Sequence, residues 1–275
     1  MAKLRSGVSS VVSSVAAYDV PHYYELALWH GADLDKIISF LLDVLKVHGR
    51  VQRGGTGRVL ELACGNSALA SGFMKRGFQF VGLDLNEKML ELSLLRTREA
   101  GHEIEVHHKD MKSFIIEKKC DLAFVMFNSV YRESNDEFVA HLKCVSSSLV
   151  PGGLYVLHMV VEGTHDDVYT TKNFKWKVKS GPVSIKAEFH RDVLDYVAQL
   201  RRETLQLRVV DKLKSSDEVI FTESSVDKVI YPQEFLMLLG STDFEFVGWF
   251  NGFDLLATLD STVGTDYLVA VIRKK

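Results

Sequence analysis

Val59-Leu60-Glu61-Leu62-Ala63-Cys64-Gly65-Asn66-Ser67-Ala68 is the stretch whose reading decides the fold. Val59–Ala63 reads as a buried strand, and Ala68–Arg76 as a helix closed by Gly77. Between them, small residues at 63, 65, 67 and 68 let a ligand come close to the backbone, where the start of a helix offers free N–H groups. Taken alone the stretch is weakly specific, because Ala63-x-Gly65-x-x-Ala68 also passes as a degenerate dinucleotide fingerprint.

Outward from this turn, strand-like and helix-like segments alternate. Phe78–Leu83 is the next strand, followed by a helix from about Glu87 to Ala100 that Asn86 caps and Gly101 ends. Ile104–His108 and Cys120–Phe127 are two further strands. Glu137–Leu149 is a helix stopped by Pro151-Gly152-Gly153, and Leu154–Val160 is a fifth strand. Upstream, Leu34, Ile37, Ile38, Leu41, Leu42 and Leu45 repeat with helical period behind Asp33 as N-cap. Strands alternating with helices of this length imply right-handed βαβ units and a doubly wound parallel sheet. After Glu162 the pattern changes. Phe174–Lys179, Val183–His190, Gln199–Val210 and Val219–Ile230 read as antiparallel strands, then Pro232–Leu239 as a helix with Gly240 at its end, then strands Phe244–Trp249 and Tyr267–Ile272. The chain thus divides into 1–162, lid helices and a ligand-binding core; 163–229, an antiparallel cover; and 230–275, the completion of the core.

Length and composition bound the function. The 275 residues are 47% hydrophobic and 25% charged with a formal net charge of −3, which is an ordinary globular composition and gives no basic field for nucleic acid. No run approaches the ~20 apolar residues that span a bilayer. Cys64, Cys120 and Cys144 lie far apart, which points to a reducing, cytoplasmic setting and to no metal site. In residues 1–18, Val8, Val11, Val12 and Val15 fall on one helical face and predict an amphipathic lid helix; a targeting segment is the alternative.

Three positions at the carboxyl rim of the sheet carry chemistry. Asp84 ends the second strand 19 residues after Gly65, where a carboxylate accepts both hydroxyls of a ribose; this suits NAD or an adenosylated sulfonium, and the plainer reading is a helix cap. Lys109-Asp110-Met111 follows the third strand, with an acid and an apolar side chain suited to the amino group and face of an adenine. Phe127-Asn128-Ser129 follows the fourth strand as a substrate edge, although Asn128 also suits a loop that bonds to itself. His158, at the end of the fifth strand with Glu162 beyond it, is the candidate general base, with a structural histidine as the alternative. Trp176, Phe174 and Trp249 are candidates for the acceptor wall or for ordinary packing.

The run VLELACGNSALASGFMKRGFQFVGLDLNEKMLELS, with KDM, VMFNSVYRE and LVPGGLYVLHM, resembles the successive motifs of class I S-adenosylmethionine-dependent methyltransferases over about residues 20–160. ETLQLRVVD, YPQEFLMLLGSTDFEFVGWFNGFD and YLVAVIRKK resemble its small-molecule branch, which includes amino-sugar N,N-dimethyltransferases and glycine-type N-methyltransferases. The resemblance implies a Rossmann-like seven-stranded mixed sheet with an antiparallel β insertion after the fifth strand. It implies S-adenosyl-L-methionine as cofactor and a small-molecule acceptor methylated at nitrogen rather than oxygen. Nucleic acid and membrane are not expected as partners, and a homodimer is left open. Glu61 and Gly65 would contact the methionine end beside Ala63, Asp84 the ribose, Leu85 and Met89 the adenine face, and Asp110 with Met111 the adenine edge. Phe127 would lie at the rim, and Tyr24, within His22-Tyr23-Tyr24-Glu25, would cover the cofactor. Ala63 and Ser67 stand where the family has glycine, and Glu61 where Asp is commoner. A nicotinamide dehydrogenase and a non-catalytic module of the same fold are the rivals.

Overall fold

A computed structural model describes residues 10–13, 15–51, 56–130, 132–159, 172–258 and 268–275. Its seven-stranded sheet has the order β11-β12-β6-β5-β2-β3-β4. The strands are β2 (Arg58–Leu62), β3 (Gln79–Asp84), β4 (Glu105–His108), β5 (Cys120–Val125), β6 (Leu149–Met159), β11 (Phe244–Asn251) and β12 (Leu268–Lys274). The five from β2 to β6 run parallel, β12 runs antiparallel beside β6, and β11 pairs antiparallel with β12 at the edge. The chain leaves β2 toward β3 and β4, then returns to β5 and β6, so the order reverses beside β2. In such sheets that switch point opens a crevice at the carboxyl ends of the strands.

Helices cover both faces. Ile37, Leu41 and Val44 of α2 (Leu34–His48) and Phe73 of α3 (Ala70–Lys75) pack on one face; Phe138 and Leu142 of α5 (Asn135–Ser148) and Phe235 of α6 (Pro232–Leu239) pack on the other. The capping readings hold: Asp33 accepts from Lys36 N–H, and Asn86 accepts from Met89 N–H at the start of α4 (Glu87–Glu99). Gly77 and Gly101 adopt the left-handed conformation that closes their helices. Gly240 does not, with φ at −58°.

The Pro151-Gly152-Gly153 stop differs from expectation. Helix α5 ends at Ser148, and β6 begins at once, with Leu149 opposite Cys120 and Leu154 opposite Leu122. The extra residues form an irregularity in which Gly152, at φ +78°, lies so close to Arg50 that a Cβ would meet its carbonyl oxygen at 2.7 Å.

A second sheet, β1-β10-β9-β8-β7, occupies the place of the expected insertion: β7 (Lys172–Ser180), β8 (Val183–Asp195), β9 (Leu200–Asp211) and β10 (Glu218–Lys228) form an antiparallel meander. Its edge corrects the reading of the N-terminus. Ser10–Val12 is a strand, β1, paired in parallel with β10. Valine serves a helix face and a strand equally well by pattern, and its β-branched side chain favours the strand once an edge is available. Val8 lies outside the described residues. A 3-10 turn at Ala17–Asp19 and helix α1 (Pro21–Leu28) then cross back over the core. No described helix is long and apolar enough to cross a membrane. Among the described residues, no group of three His, Cys, Asp or Glu is arranged to hold a metal.

Candidate cofactor and acceptor site

The turn after β2 sets the geometry of the site. Ala63, Gly65 and Ser67 all lie in the left-handed region, at φ of 50°, 52° and 51°. That conformation costs a non-glycine residue about 1–2 kcal/mol, which is why glycine is the natural occupant and why only small residues replace it here. The surroundings hold the strained turn in place. Gly65 N–H donates to Asp84 Oδ2 at 2.7 Å, Cys64 N–H to the Leu83 carbonyl at 3.0 Å, and Ser93 Oγ–H to Ser67 Oγ at 2.7 Å. The expected helix starts two residues later than read, at Ala70, because residues 66–69 complete the turn.

Asp84 serves as a strut as well as a lining residue. Its second oxygen accepts from Asn86 N–H at 2.8 Å, while Asn86, not Asp84, caps α4. Burial raises the Asp84 pKa, outweighing the bonds from Asn86, Gly65 and Leu85 that lower it. Glu61, at the end of β2, is 2% exposed, and its Oε2 is buried without a hydrogen-bond partner. Burial, and then the negative charge of Asp84, push its pKa well above the ordinary carboxylate value.

A cavity of about 410 Å³ opens over this turn. All ten residues expected at the cofactor line it: Glu61, Ala63 and Gly65 from the turn; Asp84, Leu85 and Met89 from β3 and α4; Asp110 and Met111 after β4; Phe127 after β5; and Tyr24 from α1. Tyr24 is half-buried; desolvation pushes its pKa well up, and it packs edge-on against Tyr18 with centroids 5.2 Å apart. Phe127 takes φ +53° and meets Trp29 edge-on at 4.7 Å. Tyr18, Trp29 and Glu223 of β10 also line the cavity and were not singled out in the sequence. They come from segments far apart in the chain, and only tertiary docking brings them to the rim. Four carboxylates, Glu61, Asp84, Asp110 and Glu223, line the cavity against the two lysines Lys109 and Lys112.

The two candidate catalytic residues lie outside the lining. His158 Nδ1 accepts from Phe127 N–H at 3.2 Å, and its ring packs 4.9 Å from that of Phe253. Burial lowers its pKa to about 4, so it is a neutral packing histidine. Asn128, also left-handed at φ +56°, donates its N–H to the His158 carbonyl at 2.9 Å. Both therefore shape the loop that presents Phe127. Glu162 lies outside the described residues. The aromatic wall candidates are likewise elsewhere. Trp176 donates its indole N–H to the Ala27 carbonyl at 2.8 Å and so docks α1, Trp249 packs on Phe235 and Phe246, and Phe174 is half exposed beside Phe189.

The lid has two different seams. Toward the second sheet it has an apolar centre, with Ala17 and Ala27 buried among Ile185, Leu205, Leu207 and Phe221, flanked by the Trp176 bond to Ala27 and by Tyr23 O–H donating to Asp211 at 2.8 Å. Toward α4 it is polar: Asp19 accepts from Asn86 Nδ2 at 2.8 Å and pairs with Lys88 at 3.0 Å, and Glu25 pairs with Arg96.

Residues 59–153 match the family described as a methyltransferase domain. The match begins at the second residue of β2 and ends within β6, so it contains the turn, Asp84, the Asp110 loop and Phe127. The dTDP-3-amino-3,4,6-trideoxy-alpha-D-glucopyranose N,N-dimethyltransferase of Streptomyces venezuelae is 30% identical over 144 residues, which is 51% of this chain and 57% of that enzyme's length. In fold, the chain resembles an S-adenosylmethionine-dependent methyltransferase from Clostridium acetobutylicum, with TM-score 0.75 and 16% identity over 92% of this chain and 96% of that one. It also resembles S-adenosylmethionine-bound CalS10, an amino pentose methyltransferase from Micromonospora echinaspora, with TM-score 0.67 and 18% identity over 92% and 96% of the two chains.

Proposed function

We propose that the chain is an S-adenosyl-L-methionine-dependent methyltransferase that methylates the nitrogen of a small-molecule acceptor, an amino sugar in the first instance. The observation that carries this reading is the buried Glu61 carboxylate, which lines the cavity and has no partner for Oε2. A cationic amino-acid end satisfies it, whereas the pyrophosphate of a nicotinamide dinucleotide laid on this turn would meet the Glu61 carboxylate.

In this reading Glu61 and Gly65 hold the methionine end, with Ala63 allowing close approach. Asp84 takes the ribose hydroxyls, Leu85 and Met89 flank the adenine, and Asp110 with Met111 bounds its edge. When bound, the cofactor supplies a methyl group on a sulfonium already activated for displacement. The residues of the chain align and desolvate: Tyr24 and Trp29 exclude water, and Phe127 with Ser129 bounds the acceptor side. An amine needs only its lone pair, while a hydroxyl needs a base poised near neutrality. The amine acceptors named for the similar enzymes support nitrogen over oxygen.

The test is product mass after incubation with the cofactor and matched amino- and hydroxy-sugar nucleotides. Methylation of the amino compound alone is expected. Methylation of the hydroxy compound alone would refute the acceptor class, and no transfer to any acceptor by a protein that binds the cofactor would favour the non-catalytic rival.

A further inference from the structure

Helix α5 lies on the far side of the Asp110 loop from the cavity, and one of its faces grips that loop. Glu137, His141 and Cys144 are spaced i, i+4 and i+7, so their side chains share a face. All three reach the segment after β4. Lys112 Nζ pairs with Glu137 at 3.4 Å, the Cys144 thiol donates to the Lys112 carbonyl at 3.6 Å, and His141 Nδ1 lies 3.0 Å from the Met111 carbonyl. The loop closes on itself through Asp110, whose Oδ1 accepts from Lys112 N–H at 2.8 Å and whose carbonyl accepts from Ser113 N–H at 3.0 Å.

The histidine bond has a definite direction. A carbonyl only accepts, so Nδ1 carries the proton. His141 is 1% exposed, and burial lowers its pKa to about 4, so the ring is neutral and Nε2 is bare. The Tyr155 hydroxyl, 2.8 Å away and itself fully buried on β6, therefore donates to Nε2 and fixes the tautomer. The chain Tyr155–His141–Met111 thus runs from the central sheet to the backbone of the loop that presents Asp110 to the cavity.

We propose that His141 is a positioning residue for base recognition: by holding the Met111 carbonyl it fixes the loop that aims Asp110 at the six-amino group of the adenine. The assignment rests on the reading of the cavity as an adenosyl site. His141 does not line the cavity, so its removal alters selectivity for the base rather than opening the whole cavity.

The experiment compares the wild type with His141→Leu, which removes the donor, His141→Asn, which keeps a donor near the Nδ1 position, and Tyr155→Phe, which frees the tautomer while disturbing packing least. Calorimetric affinities for S-adenosylhomocysteine and S-inosylhomocysteine are measured alongside amide exchange of Lys112 and Ser113 in the ligand-free protein. In His141→Leu the preference for the adenosyl ligand should fall by about fivefold to tenfold, the worth of one net hydrogen bond. The two loop amides should exchange faster while those of α5 do not, and His141→Asn should restore both to within about twofold. Tyr155→Phe should shift both readouts in the same direction by less. Unchanged preference and unchanged loop exchange in a folded His141→Leu or Tyr155→Phe protein would overturn the proposal. A wild type that binds neither ligand would instead overturn the adenosyl reading, and faster loop exchange in the variants would still support the hold on the loop.

Discussion

Glu61→Gln should move stability and binding in opposite directions. The carboxylate is 2% exposed and Oε2 has no partner, so its charged form is destabilised by burial and by Asp84 beside it. Because its folded pKa lies above the ordinary value of 4.5, the native state holds a proton that the unfolded chain has already lost. Its contribution therefore favours the fold at low pH and fades as pH rises from the ordinary carboxylate range through the folded pKa. Removing the charge should raise ligand-free stability at pH 8 by about 1–3 kcal/mol, the cost of a buried polar group left unsatisfied. This corresponds to a gain of roughly 2–4 °C in Tm for each kcal/mol. At pH 5 the gain should shrink. In calorimetry at pH 8 the same variant should bind S-adenosylmethionine more weakly by about 1.5–3 kcal/mol, the worth of a hydrogen bond to a charged group. Melts that coincide with wild type at both pH values, or unchanged affinity for the cofactor, would refute the assignment of Glu61 to a cationic ligand.

Asp84→Ala should weaken cofactor binding by ~1.5–3 kcal/mol in calorimetry. It should also speed amide exchange at Gly65 and Asn86, whose N–H groups lose their acceptor. Asp227 is fully buried between Arg132 and Arg201, at 3.3 and 3.0 Å, and joins the second sheet to the loop after β5. Asp227→Ala should cost about 3–5 kcal/mol in urea unfolding, because buried Arg132 loses its carboxylate partner and Arg201 is left with Glu203 at 3.0 Å; a loss below ~1 kcal/mol would contradict that role. His158, with its pKa lowered to about 4 from 6.5, contributes stability that is present above about pH 6.5 and is lost as pH falls toward 4. His158→Gln should flatten that part of the stability curve and leave the pH profile of methyl transfer unchanged between about pH 6 and 9.

The sequence carried the parallel core clearly because each of its signals is local. A glycine or capping Asn at a helix end, the period of α2, and an acid closing β3 act within a few residues, and the ten residues expected at a cofactor, all of which line the cavity, derive from such signals or from the resemblance attached to them. Misreadings arose where tertiary partners decide the outcome. Val11 and Val12 satisfy a helical stripe by count, yet β10 offers them an edge and they pair there. Trp176 looked like a pocket wall because large aromatics suit pockets, but its indole N–H is spent on Ala27 of the lid. For His158 the place at a strand end left a base and a structural histidine both open, and only the structure places its ring against Phe253 with Nδ1 accepting the Phe127 amide. Glu223 and Trp29 reach the cavity through the docking of a whole sheet and a lid, which no local pattern encodes.

Calorimetric titration of the wild-type protein with S-adenosylmethionine, and in parallel with NAD, tests the central claim most directly. The account predicts saturable binding of the sulfonium cofactor at one site per chain, weakened by Glu61→Gln and Asp84→Ala, and no binding of the dinucleotide. Absence of heat with S-adenosylmethionine, or NAD binding as tightly at the same site, would contradict it.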